Sequence, residues 1–141
     1  MVNYWLCVTN EENWNVVKEW KVWGVPERSR HLIEGVKLGD FLVFYVMPQR
    51  IMGVFKAASE PFESSERIFS WGEFGREETF PHRVKLEPVI MAKEALQFKD
   101  LIPRLKFITN KKMWSGHLRR AMRTIPGEDC DLIFSAISRG E

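Results

Sequence analysis

Two tryptophans are distinguished by their neighbours. Trp23 and Trp71 are each followed by a glycine, Gly24 and Gly72, and each lies in a stretch without long regular periodicity. A glycine beside an indole lets a flat ligand approach the backbone as well as the ring. Two such rings facing each other would form a slot for a planar base, or a cage for a methylated group. Stacking in such a slot contributes roughly 1–3 kcal/mol per base. The competing reading is that loop aromatics plug the core. The other tryptophans are assigned to packing: Trp5 in a strand, Trp14 and Trp20 on a helix face, Trp114 covering an edge.

The second feature is charge. The chain of 141 residues carries a formal net charge of only +2, too small to grip duplex DNA by charge alone. Its basic residues are unevenly placed. From Lys99 to Arg123 there are eight Lys or Arg against one acid, Asp100. Arg28, Arg30 and His31 follow Trp23, while Lys111, Lys112, Arg119 and Arg120 lie in the basic stretch. These seven are the candidate phosphate contacts, with a solvated face as the alternative. The pattern suits a modest electrostatic contact plus something more specific.

Enzyme signals are few. His31, His82 and His117 have no second His or Cys at metal-ligand spacing, so no metal site is expected. There is no nucleophile elbow and no Walker A loop, and Gly72-Glu73-Phe74-Gly75 is too short and acidic to cradle phosphate. Cys7 lies in an apolar run and reads as an inert buried thiol. Nothing asks for a cofactor. An enzyme acting on a nucleobase or nucleotide would have to use His31, Glu34 or Cys7. An adaptor that docks other proteins would use Phe62, Phe69 and Phe74 as an exposed patch.

These residues need a frame. With 45% hydrophobic and 28% charged residues, the chain is expected to fold as one domain over residues 1–141. No stretch is long and apolar enough to span a bilayer, and no secretory signal is visible. Two cysteines cannot build a disulfide scaffold, which points to reducing cytoplasm and to no membrane partner.

Tyr4–Val8 reads as a buried strand. Thr9-Asn10-Glu11-Glu12 fits a capping box with Thr9 as cap, opening a helix over 10–20. Residues 22–25 read as a short strand or loop and 27–31 as a polar, basic stretch. Phe41–Met47 is a strand buried on both sides, and Ile51–Ala57 pairs back as a hairpin. Residues 59–81 are irregular but carry five large aromatics, so part of the segment must pack or bind. His82–Glu87 alternates as a half-exposed strand that Pro88 ends. A helical turn over 100–105, a short helix over 115–122 capped by Ser115, and a helix over 128–138 complete the chain. The sum is an α+β domain: a small, largely antiparallel, barrel-like sheet with three or four helices around it.

Tyr4-Trp5-Leu6-Cys7-Val8-Thr9, the capped helix, Val22-Trp23-Gly24-Val25 and Val36 to Tyr45 together resemble the EVE domain family. The likeness continues through Gly53-Val54, Trp71, Phe80 to Leu86 and Ser115 to Arg119. It implies a PUA-like fold, a small curved β-barrel flanked by helices, with a pocket on one face. It also implies kinship with YTH domains, which hold a methylated adenine of single-stranded RNA in an aromatic cage. EVE domains are associated with modified bases in DNA or RNA. On this resemblance Trp23 takes the first cage position and Trp71 the second, with Phe74 or Arg76 nearest the third. The backbone of Gly24 and Val25 would lie beside the base and read its edge. The function implied is a non-catalytic reader of a modified nucleobase, with RNA or DNA as partner.

Overall fold

The computed structural model describes residues 2–69 and 80–139. Seven strands and four α-helices are found among these residues. The strands are β1 (Tyr4–Thr9), β2 (Val22–Val25), β3 (Phe41–Val46), β4 (Arg50–Ala57), β5 (Phe62–Glu63), β6 (His82–Gln97) and β7 (Met122–Thr124). The helices are α1 (Glu11–Trp20), α2 (Arg30–Ile33), α3 (Phe98–Leu101) and α4 (Gly127–Arg139). The sheet runs β2-β6-β4-β3-β1-β7, with β5 also paired to β6. β1 and β3 are parallel and every other pairing is antiparallel.

Side-chain alternation in the central strands builds two cores, one on each face. Trp5 and Cys7 of β1 join Leu42, Phe44 and Val46 of β3 in the first, with Trp14 and Trp23. Leu6, Val43 and Tyr45 point the other way, toward Phe98, Leu105 and Ile133. A strand clad on both sides has no polar face, which is why the run over Phe41–Val46 is continuously apolar.

The turn before β3 is fastened by Asp40. Its carboxylate accepts from Asn3 N at 2.9 Å, Lys37 N at 2.9 Å and Trp5 Nε1 at 3.1 Å. In the first turn of α4 Asp129 plays a similar part, accepting from Lys106 N at 2.9 Å and Phe107 N at 2.8 Å. Both aspartates are buried.

Several expectations change. Thr9 is not the helix cap, because it pairs with Val46 as the last residue of β1. Asn10 takes that role, in extended geometry, and its side chain accepts from Asn13 N at 2.8 Å. Trp20 is 54% exposed. It lies six residues past Trp14, about 240° around the helix and off the buried face. Pro88 does not end its strand. It lies opposite Phe55 where the register shifts between Val54 and Phe55, a bulge that excuses the missing N–H, and β6 continues to Gln97. Residues 115–122 split into a 3₁₀ turn, Trp114–Leu118, and the start of β7. The polar stretch after Pro26 folds as a 3₁₀ turn, Glu27–Ser29, running into α2.

Candidate functional site

A cavity of about 660 Å³ opens beside the edge strand β2. Five separate pieces of chain wall it. The end of β1 and the first turn of α1 supply Val8, Thr9, Asn10 and Asn13. β2 supplies Trp23 and Gly24, and the turn after it supplies Pro26, Arg28, Ser29, His31 and Leu32. Met47 and Phe80 contribute, and Leu118–Ala121 closes the far side with Arg119 and Arg120. The lining is apolar where Trp23, Leu32, Phe80 and Leu118 meet it, and cationic at Arg28, Arg119 and Arg120. Among the described residues it includes no carboxylate.

Trp23 is part of the floor. Only 3% of its surface is exposed, and its ring meets Phe44 edge-on at 5.3 Å between centroids and 82° between planes. Its buried Nε1 has no hydrogen-bond partner among the described residues. The expectation that Trp23 stands open as one of two facing rings is therefore corrected to a mostly buried ring at the cavity, as the competing core reading has it.

Gly24 lines the cavity too, yet its Cα has a close neighbour. A Cβ there would stand 2.7 Å from a ring carbon of Phe69 and 3.1 Å from the Phe80 carbonyl. Phe69 is held in turn by the Arg83 guanidinium, 5.5 Å from its ring centre, while Arg83 Nε donates to the Phe80 carbonyl at 2.9 Å. Glycine at 24 is thus required by packing, not left bare for a ligand. Phe69 is 8% exposed and belongs to the core, so it does not form the docking patch. Val25 is buried and pairs with His82. Trp71 and Phe74, the expected second ring and its neighbour, lie outside the described residues.

The basic candidates divide. Arg28, His31, Arg119 and Arg120 are brought together around the cavity. Arg30 is turned to Glu34, with Nε donating at 2.8 Å across one helical turn, and that contact raises its pKa. Lys111 is used structurally. Its Nζ donates to the carbonyls of Ile102 at 2.9 Å and Leu105 at 2.6 Å. Lys112 is exposed on the same loop, and neither lysine lines the cavity. Of the enzyme candidates, Glu34 is occupied by Arg30. Cys7 is fully buried, and burial pushes its thiol well above the ordinary range. No cluster of three or more His, Cys, Asp or Glu suited to a metal occurs among the described residues.

Beneath the rim, His82 and Glu27 tie the turn after β2 to β6, Nε2 to Oε1 at 2.5 Å. That hydrogen bond holds the Glu27 carboxyl below its usual value. Asn10, Asn13, Phe80 and Leu118 line the cavity without having been singled out in the sequence. Asn10 carried a signal in its capping position. The others are gathered by the sheet and have no local mark.

The profile of the EVE domain matches residues 3–136. The chain belongs to the EVE domain family. A UPF0310 protein of Pyrococcus abyssi is 48% identical over 146 residues, covering 96% of this EVE chain and 100% of its own length. Among solved structures, human THYN1 in complex with 5-methylcytosine-containing DNA superposes with a TM-score of 0.64 at 17% identity, over 99% of both chains. The YTH domain of Zygosaccharomyces rouxii MRB1, in complex with N6-methyladenosine RNA, gives 0.64 at 15% identity, over 95% of this chain and 86% of that one. At such identities these two show a common fold. The small, curved, largely antiparallel barrel with three or four helices expected from the sequence is found as a curled half-barrel with four α-helices among the described residues.

Proposed function

We propose that this EVE domain is a non-catalytic nucleic-acid-binding module that seats one nucleobase, a modified one, in the cavity beside β2. The observation that carries the reading is the polarity of that cavity. Its floor is apolar and its rim is cationic, with no carboxylate among the described residues of the lining. A base joined to a phosphodiester has the matching division, a flat apolar ring beside an anion. As the edge of the sheet, β2 turns its backbone groups alternately toward and away from β6; those of Val25 are turned to His82, and those of Gly24, which lines the cavity, face the other way, toward the edge of a base. Hydrogen bonds there distinguish one base from another. Arg28, His31, Arg119 and Arg120 serve the phosphates. Trp71 and Phe74 are carried in the proposal by the family resemblance, as further walls of the base site. THYN1 and the YTH domain, bound to DNA with 5-methylcytosine and RNA with N6-methyladenosine, supply the two first probes.

The experiment is a fluorescence titration with single-stranded oligonucleotides, each with and without its modified base. Trp23→Phe keeps most of the buried volume, whereas Trp23→Ala would cost about 3–5 kcal/mol of stability and confuse the result. The modified strand is expected to bind more tightly than the plain one. Trp23→Phe and Trp71→Ala are each expected to erase that preference. An equal affinity for modified and plain strands with both probes, or a preference untouched by both variants, overturns the reading.

A further inference from the structure

A second cleft, of about 650 Å³, lies across Arg119 and Arg120 from the first. The two share His31, Leu32, Arg119 and Arg120 as a common wall. We propose that this second cleft takes the phosphodiester backbone of the strand as it leaves the base site, with Arg123 and His117 as the added contacts. The inference rests on the nucleic-acid reading above for its ligand, but not on any base being recognised.

Three observations support it. First, among the described residues the lining holds three arginines and two histidines and no carboxylate. The acid whose charge does reach Arg123 is Asp129, and both oxygens of that carboxylate already accept backbone N–H groups. Among the described residues no ion pair neutralises Arg119, Arg120 or Arg123. Second, Arg120 and Arg123 line the same cleft. Partial burial first, and repulsion from Arg120 next, lower the pKa of Arg123. An anion between the two guanidinium groups would relieve that repulsion. Third, the groups are oriented in advance. The Arg123 guanidinium lies 4.8 Å from the ring centre of Phe107, and its Nε donates to the Thr124 carbonyl at 3.1 Å. His117 Nε2 accepts from Asn110 N at 3.3 Å. An imidazole that accepts there carries its proton on Nδ1, a donor suited to phosphate oxygen. A positive groove with donors fixed in place tracks a single strand without reading its sequence.

Gly116 offers a clean test. It lines the second cleft, and a Cβ built on it meets no other atom within 4 Å. Gly116→Trp should therefore plug the cleft without disturbing the core. Arg123→Gln removes the charge, and Arg123→Lys keeps it. The probes are unmodified oligo(U) and oligo(dT) of about nine nucleotides, a length within the span of one binding groove. Free N6-methyladenosine and 5-methylcytidine probe the first cavity alone, and inorganic phosphate tests for a free-anion site. Gly116→Trp and Arg123→Gln are each expected to weaken oligonucleotide binding roughly fivefold to tenfold. The slope of log affinity against log salt should flatten by about 0.7 for each phosphate no longer neutralised. Arg123→Lys should keep most of the affinity, and nucleoside binding should not change in any variant. Oligonucleotides that do not bind the unaltered protein overturn the proposal. So does binding indifferent to both Gly116→Trp and Arg123→Gln, and so does phosphate binding that Arg123→Gln removes with no change toward oligonucleotides. Nucleosides that fail to bind while the strands still respond would overturn the base site and leave the groove standing.

Discussion

The charges at the turn before β3 and those on the 118–123 segment are treated in opposite ways. Asp40 is buried and fully engaged, with two backbone N–H groups and an indole N–H on one carboxylate. Arg119 and Arg120 are exposed and have no ion-pair partner among the described residues. A buried charge survives only when the chain itself satisfies it. An exposed cluster of like charge contributes nothing to folding and is open to an external counter-charge. The contrast separates what holds this domain together from what it can offer a partner.

The contrast can be broken most severely at Asp40. Asp40→Ala would leave three buried or half-buried donors unpaired, each worth roughly 1–3 kcal/mol, so a loss of about 3 kcal/mol or more is expected in chemical denaturation. Asp129→Ala strands two donors and should cost about 2 kcal/mol or more by the same measurement. The double variant Arg119→Gln, Arg120→Gln should do the reverse. Stability should stay within about 0.5 kcal/mol, while oligonucleotide binding falls and its salt slope flattens by about 1.4, as expected for two phosphates left without a cation. A fall in melting temperature with binding intact would erase the distinction.

Glu27 sharpens the comparison because it stands between the two cases, exposed yet tied to buried His82. Its folded pKa lies below the ordinary 4.5. The stability it contributes is complete above that value and is lost as pH falls through the lower folded pKa. Melting curves taken downward from about pH 6 should show this loss in the natural protein and less of it in Glu27→Gln. At the small end, Trp20→Gln should change stability by no more than about 0.5 kcal/mol, since that ring is largely in solvent.

Much of the fold was readable along the chain. The two-sided strand over Phe41–Val46, the returning β4 and the amphipathic faces of α1 and α4 all declare themselves by period and residue type. What misled was tertiary pairing. Thr9 has the composition of a cap, but the neighbouring strand claims its backbone. Pro88 has the composition of a stop, but a bulge in its own strand, at Val89, accommodates it. At the site, Arg28 and His31 were legible as basic residues following Trp23, and Arg119 and Arg120 as part of a separate basic stretch; that the two groups meet around one cavity was not. Residue type alone could not tell that the Lys111 ammonium is occupied by two carbonyls, or that Phe69 fills the space beside Gly24. Both facts depend on which loop the sheet brings against which strand.

Because both faces of the central strands β1 and β3 are covered, a visiting molecule does not reach the cavity across open sheet. It must meet the molecule along a seam, where short connections from distant parts of the chain come together. Those connections can change in length and chemistry while the layers beneath stay as they are. The scaffold can therefore exchange one recognition specificity for another by editing its hems, at little expense to the cloth.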